Sequence, residues 1–431
     1  MRSLAIVGSG IAGMGLAYKL KDLYRITVFD GNAYAGGHTN TISVPSKEHS
    51  GGQVAFDTGF MVFNYQTYPL LTAMFKELDV PVKKTDMSFS VQIKEPGRTP
   101  LEWNGAGLDK IFAQRRNLFS PRFWRMLRQL DWFNKNAPIH LETVDIASLK
   151  IRDYIDKYSL SADFLNWYMI PMGSSVWSTP FQSMLDFPAA TLLRFFHNHG
   201  FLGLDTHYQW YTVDGGAIQY MKRLAKSLKA DDRVLTSSKV DKVFYENDRP
   251  TVLLENGKKE AFDLVCLACH ADEALAMLTS PTELEQHLLV PFKYQNNDIT
   301  VHTDNAVMPA SRRAWASWNH RVEGGLGTTH YWMNNLQSLD GETNYFVSLN
   351  AASLIDQEKV LRKMNYTHPL FNLDTFKAQP DLYLLNQQEG RSIFFAGSYF
   401  RYGFHEDAFM SAVQLAERLS HLKESREPAH V

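Results

Sequence analysis

The chain reads as an α/β protein in which a parallel-sheet domain is interleaved with a second, mixed α+β domain. Three observations predict this. A complete strand, glycine turn, helix and second strand occupy residues 4–30, and buried-strand sequence returns near residues 264–268 and 393–397. The two gaps between these pieces are rich in aromatic residues, which make up 13% of the chain. At 431 residues the protein also exceeds what one hydrophobic core usually serves, so two domains are expected.

The first unit runs Leu4-Ala-Ile-Val-Gly-Ser-Gly-Ile-Ala-Gly13, then a helical stretch, then Ile26-Thr-Val-Phe-Asp30. Gly8 permits the tight turn out of the strand, Gly10 lets the backbone approach a pyrophosphate, and Gly13 lets the helix pack on the sheet. Ser9, Ile11 and Ala12 share that turn, whose free N–H groups and positive dipole end face phosphates. Asp30, followed by Gly31, stands at the end of the second strand, about 20 residues on, where an acid accepts from a ribose hydroxyl. This is a Rossmann-like βαβ context rather than an isolated glycine pattern. A signal peptide is the competing reading, because Arg2 precedes an apolar, small-residue run; the fingerprint glycines and the strand that follows argue against it. No other stretch approaches the ~18 apolar residues of a membrane span.

Next come two glycine-marked loops, one carrying Gly36, Gly37, His38 and Thr39, the other Gly59 and Phe60. From about residue 105 to 202 the pattern is helical. Ser120-Pro121 supplies an N-cap and a first-turn proline for a helix through Phe133, and Ser161 opens another that the sequence ends near Pro171. Asp214-Gly-Gly216 is a turn opening a helix, and strand candidates follow at 239–245, including Val240, and at 251–255, with Asn256-Gly257 as a turn. Residues 281–379 are mixed strand and loop, residues 393–397 are again a buried strand reaching a glycine, and residues 406–419 read as the last helix before a polar tail from about 424. Nucleotide-domain sequence thus falls at 1–80, 208–280 and 385–431, and the second domain at 81–207 and 281–384.

Bulk properties narrow the partners. Hydrophobic residues at 45% and charged residues at 21% describe an ordinary globular protein, and a net charge of −2 gives no support to a nucleic-acid partner. The two cysteines, Cys266 and Cys269, have the spacing of a redox pair or half a zinc site, but no second pair exists and their flanks read as a buried strand. No metal site is expected, and a reducing, cytoplasmic compartment follows.

The interleaving and four motifs give the chain its resemblance: Gly8-x-Gly10-x-x-Gly13 with Asp30, Gly36-Gly37, Asp214-Gly215-Gly216, and the Ala396-Gly397 strand with its terminal helix. Together they resemble the flavin-containing amine oxidase and phytoene desaturase superfamily across nearly the whole chain. Within it, stretches such as Pro171-Met-Gly-Ser-Ser-Val-Trp-Ser178, Trp315-Ala-Ser-Trp-Asn319 and Tyr402-Gly-Phe-His-Glu-Asp407 look like the branch of predicted NAD/FAD-binding oxidoreductases associated with cyclopropane fatty acid synthases. The resemblance implies FAD. A second helix N-terminus agrees with it, because the isoalloxazine end needs its own anchor; Gly397, Ser398, Phe404, His405, Glu406, Asp407 and Ala408 are the residues there. The chain also departs from the pattern. His38 replaces the Arg common after the glycine pair, no Lys matches near the flavin N5, and the Cys that holds flavin covalently in some relatives is missing. Non-covalent FAD is therefore expected, and amine oxidation is demoted.

Tyr402, His405 and Glu406, at the mouth of the terminal helix, are the catalytic candidates, with helix capping as the alternative for Glu406 and Asp407. Trp177, Trp318, Tyr331 and Trp332 are the candidate substrate pocket, with ordinary core strands as the alternative. Residues 112–133 alternate arginines with aromatic residues and suit either a membrane interface or a helix packed on the protein. The expected reaction is hydride removal from a small apolar or lipid substrate, desaturating a modified or unsaturated acyl chain, in the cytoplasm or at the inner face of the membrane. Two alternatives stay open: an amine oxidase, and a flavin-bound accessory of a lipid-modifying methyltransferase.

Overall fold

The computed structural model describes residues 1–49, 51–203 and 208–424. Its parallel sheet has the order Ile393–Phe395, Leu264–Leu267, Arg2–Val7, Tyr24–Phe29, Arg233–Leu235. Every pairing in it is parallel, so strands from the start, middle and end of the chain meet side by side. Leu4, Ala5, Ile6, Val28, Val265 and Phe395 are all fully buried. Such continuous apolar runs are what a sheet covered on both faces requires.

Helix Ile11–Leu20 lies against the terminal helix His405–Glu424. Gly15 makes that approach close, because a Cβ there would meet the Phe409 ring at 2.5 Å. The fingerprint thus carries a fourth glycine whose role is packing between helices.

A second sheet has seven strands in the order Val360–Leu370, Lys293–His302, Phe346–Leu349, Leu326–Trp332, Trp318–Glu323, Phe89–Lys94, Leu101–Asn104. It is antiparallel except where Trp318–Glu323 runs parallel to Phe89–Lys94. A ribbon of Val82–Thr85 with Trp210–Val213 joins sequence on either side of the helical region.

Helix Pro121–His140 starts where the sequence predicts, with the Ser120 hydroxyl accepting from the Phe123 N–H at 3.3 Å. The helix opened by Ser161 does not end near Pro171. A π-helical segment, Leu165–Met169, is followed directly by helix Ile170–Trp177. Pro171 lies inside this continuous helical stretch, and the wider π-helical turn just before it makes room for a residue that has no N–H to donate, so the chain stays helical. Among the described residues no helix is long and apolar enough to cross a membrane.

Candidate functional site

A cavity of about 920 Å³ opens at the C-terminal ends of the parallel strands, beside Val7, Phe29 and Ala268. This is where open α/β sheets bind ligands. Gly8 holds φ +106°, and a Cβ there would overlap the Ala268 carbonyl oxygen; one on Gly13 would overlap the Gly8 carbonyl oxygen. A Cβ on Gly10 would meet no protein atom within 4 Å. Protein packing therefore does not demand glycine at position 10. The open space in front of it is what a close-lying phosphate needs, at a helix end that no side chain caps.

Asp30 ties this turn to its surroundings. One carboxylate oxygen accepts from the Ser9 N–H at 2.9 Å and from the Ser9 hydroxyl, the other from the Asn32 N–H at 2.8 Å and its amide at 3.1 Å. The Ser9 hydroxyl in turn accepts from the Gly36 N–H at 3.1 Å. Loop 36–38 is thereby seated on the helix end, where a Cβ on Gly37 would meet Gly10 Cα at 3.3 Å. The next loop docks on it through Phe60 N–H, which donates to the His38 carbonyl at 2.8 Å, and a Cβ on Gly59 would overlap that carbonyl.

Of the residues singled out for a dinucleotide, Gly8, Ser9, Gly10, Ile11, Ala12, Asp30, Gly31, Gly36, Gly37, His38, Gly59, Phe60, Val240, Gly397, Ser398, Phe404, His405 and Ala408 line the cavity. Gly13, Thr39, Glu406 and Asp407 stand behind its wall. The Thr39 hydroxyl shares His405 Nε2 with Tyr220, at 3.0 Å and 2.9 Å respectively. The Asp407 carboxylate accepts from the Phe404 N–H at 2.9 Å, and burial raises it to about 7.

The three catalytic candidates separate. His405 faces the cavity, its ring stacked on Phe60 at 3.9 Å and 7°. Burial pulls it down to about 3, so it is a neutral, positioned imidazole. Glu406 turns away and accepts from the Leu70 and Leu71 N–H groups at 2.8 and 2.9 Å, capping helix Pro69–Glu77. Tyr402 lies outside the lining; its carbonyl accepts from Trp177 Nε1 at 3.1 Å and the Arg401 guanidinium covers its ring.

At the other end Trp177, Trp318 and Tyr331 line the cavity with Phe195, Phe201 and Trp210. Trp318 and Tyr331 stack on neighbouring strands at 6.2 Å and 9°. Trp332 does not belong to this wall. Successive strand residues point to opposite faces, and Trp332 packs on Trp315 at 5.3 Å while its Nε1 donates to Asn344. The period-two rule would have separated it from Tyr331.

Sequence reasoning placed His38 near the nucleotide but did not bring it together with His270 and His368. His38, His270 and His368 all line the cavity, with His38 centred 6.4 Å from His270 and 5.4 Å from His368. His38 Nε2 is buried with no hydrogen-bond partner among the described residues. Burial and the neighbouring imidazoles hold the His38 ring well below its ordinary range. Ser175 also lines the cavity, with its hydroxyl 2.8 Å from His320 Nδ1. Cys266 is wholly buried, and burial raises both thiols, so neither is a ready thiolate. Among the described residues no cluster of His, Cys, Asp or Glu could hold a metal ion.

The family model for flavin containing amine oxidoreductases matches residues 11–330. The chain belongs to that family. It is an FAD-dependent oxidoreductase. The turn at Gly8–Gly13, the Asp30 network and the open face of Gly10 fit that cofactor. Solved structures that share its fold include putrescine oxidase, at 14% identity over 99% of each chain with a TM-score of 0.67. Cyclohexylamine oxidase from Brevibacterium oxydans IH-35A shares it at 15% identity, over 97% of this chain and 99% of that one, with a TM-score of 0.65. So does a CLA-producing fatty acid isomerase from P. acnes, at 13% identity, 97% and 98% coverage, and a TM-score of 0.65. No curated protein sequence matches this chain.

Proposed function

We propose that this flavoenzyme removes two hydrogens from adjacent carbons of an apolar, acyl-chain-like substrate, one as hydride to the bound flavin and one as a proton released to solvent, and so introduces a double bond. One observation carries the reading. The part of the cavity walled by Trp177, Phe195, Phe201, Trp210, Trp318 and Tyr331 has no carboxylate among its described lining residues. The lining carboxylates, Asp30, Asp241, Glu255 and Glu273, all belong to the nucleotide-holding elements or their flanks. An ammonium substrate calls for an acid that steers it as well as aromatic faces that bracket it, whereas an alkyl chain needs only a dry, apolar and aromatic wall.

Bound flavin supplies the hydride acceptor. The protein's own contribution is to desolvate the chain, to limit its motion between flat aromatic faces, and to present one carbon to the cofactor. His405, neutral and fixed by Phe60, Thr39 and Tyr220, adds a polar contact without adding charge. That a fatty acid isomerase shares this fold supports the reading.

The test is anaerobic mixing of the yellow holoenzyme with unsaturated fatty acids and, separately, with primary amines. Bleaching of the flavin absorbance by the fatty acid, with a product two hydrogens poorer, is the expected result. Bleaching by the amine alone would make it an amine oxidase. Bleaching by neither would favour the accessory role beside a lipid-modifying methyltransferase.

A further inference from the structure

The arginine-rich stretch 112–133 suggests a helix lying with its apolar face in a membrane, but the structure turns that face inward. Phe123, Met126, Phe133 and Ala137 are fully buried, and Arg122 and Arg125 bind Asp163 at 3.0 and 2.8 Å. What remains outside is the tip that leads into the helix. It comprises the short helix Leu108–Ile111, the 3-10 turn Arg115–Phe119 and the first turn of Pro121–His140.

Four large apolar side chains are exposed there: Leu108 at 71%, Leu118 at 41%, Phe119 at 87% and Trp124 at 43%. The tip is ordered by its own bonds. The Arg115 guanidinium donates to the Asp109 and Phe112 carbonyls at 3.2 and 3.0 Å, and Trp124 Nε1 donates to the Leu118 carbonyl at 2.9 Å. The Trp124 ring sits 5.3 Å from that of Phe112. Around these side chains positive charge is in excess: residues 108–128 hold Lys110, Arg115, Arg116, Arg122, Arg125 and Arg128 against Asp109, which pairs with Arg115, and against Asp163 behind them, which pairs with Arg122 and Arg125, in a chain whose net charge is −2. Exposed apolar residues grouped in this way mark a contact surface. A Phe and a Trp set among arginines match a bilayer interface, where aromatic rings reside at headgroup depth and guanidinium groups meet lipid phosphates.

We propose that this tip docks the enzyme on an anionic lipid bilayer, with Phe119 and Trp124 entering the interface and Lys110, Arg115 and Arg116 facing the headgroups. The attachment is peripheral, since the tip is a few residues deep and the helix behind it stays packed in the protein. The proposal rests on this surface and not on the chemistry of the cavity, so it holds for either substrate class.

The experiment is co-sedimentation of the FAD-loaded protein with vesicles of phosphatidylglycerol and phosphatidylethanolamine, against vesicles of phosphatidylcholine. Binding to the anionic vesicles alone, released by salt, is expected. Phe119→Asp, and separately Lys110→Glu with Arg116→Glu, should each weaken it by roughly ten-fold or more. Unchanged flavin absorbance and melting temperature show that these exposed substitutions leave the fold intact. No binding to anionic vesicles, equal binding to both kinds, or full binding by Phe119→Asp would overturn the proposal. So would capture of a soluble protein through this tip in place of lipid. None of these outcomes touches the flavin-bleaching test.

Discussion

Lowering the pH from 7.5 to 5.5 should weaken folding through histidines buried in the seven-stranded sheet. His302 and His330 both bond the Ser348 hydroxyl at 2.7 Å, and His320 bonds the Ser175 hydroxyl at 2.8 Å. Burial lowers His302 to about 4 and His320 to about 3, and holds His330 well below its ordinary range. In the unfolded chain each takes a proton near pH ~6.5. Between the two values the unfolded state binds more protons, so the stability these groups contribute is full above about pH 6.5 and is lost as the pH falls. At pH 5.5, about one unit below the unfolded value, His302 and His320 each cost about 1.4 kcal/mol. The pair removes about 3 kcal/mol from a total of order 5–15 kcal/mol, and His330 acts in the same direction. Urea melts followed by tryptophan fluorescence at several pH values measure this. His302→Gln keeps a polar partner for Ser348 and removes one titration. It should flatten the slope below pH 6.5 by about 1.4 kcal/mol per pH unit. An unchanged slope below pH 6.5 in the variant would refute the reasoning.

Three further outcomes are expected. Asp30→Ala should weaken FAD by about 1.5–3 kcal/mol, the worth of a hydrogen bond to a charged group, and equilibrium dialysis that finds full occupancy would count against that role. Gly10→Ala should fold with a wild-type melting temperature, since its Cβ meets no protein atom and its φ is −64°, yet lose FAD affinity; unchanged affinity would mean that no phosphate lies against this turn. Trp318→Ala should raise KM for the substrate, whereas Trp332→Ala should lower stability and leave KM alone, and the reverse pattern would show the cavity wall to be misassigned.

What could be read along the chain is what local geometry determines. The turn at Gly8–Gly13 and its acid at Asp30 form one continuous βαβ unit whose spacing is imposed by strand and helix dimensions, so they were legible without the rest of the molecule. Glu406, Tyr402 and Trp332 were not, because the direction of a side chain depends on what packs against it. Glu406 finds two N–H groups of a helix more than 300 residues earlier in the chain, and Trp332 is turned by the pleat of a strand whose register is set by its neighbours. The gathering of His38, His270 and His368 likewise joins a loop, a helix start and a strand far apart in sequence. The tip at residues 108–124 shows the same division. Its composition is plain in the sequence, but only packing decided that the helix buries its apolar face while Phe119 and Trp124 stay in solvent. Periodicity tells which residues share a face; long-range contacts decide which face the rest of the protein covers.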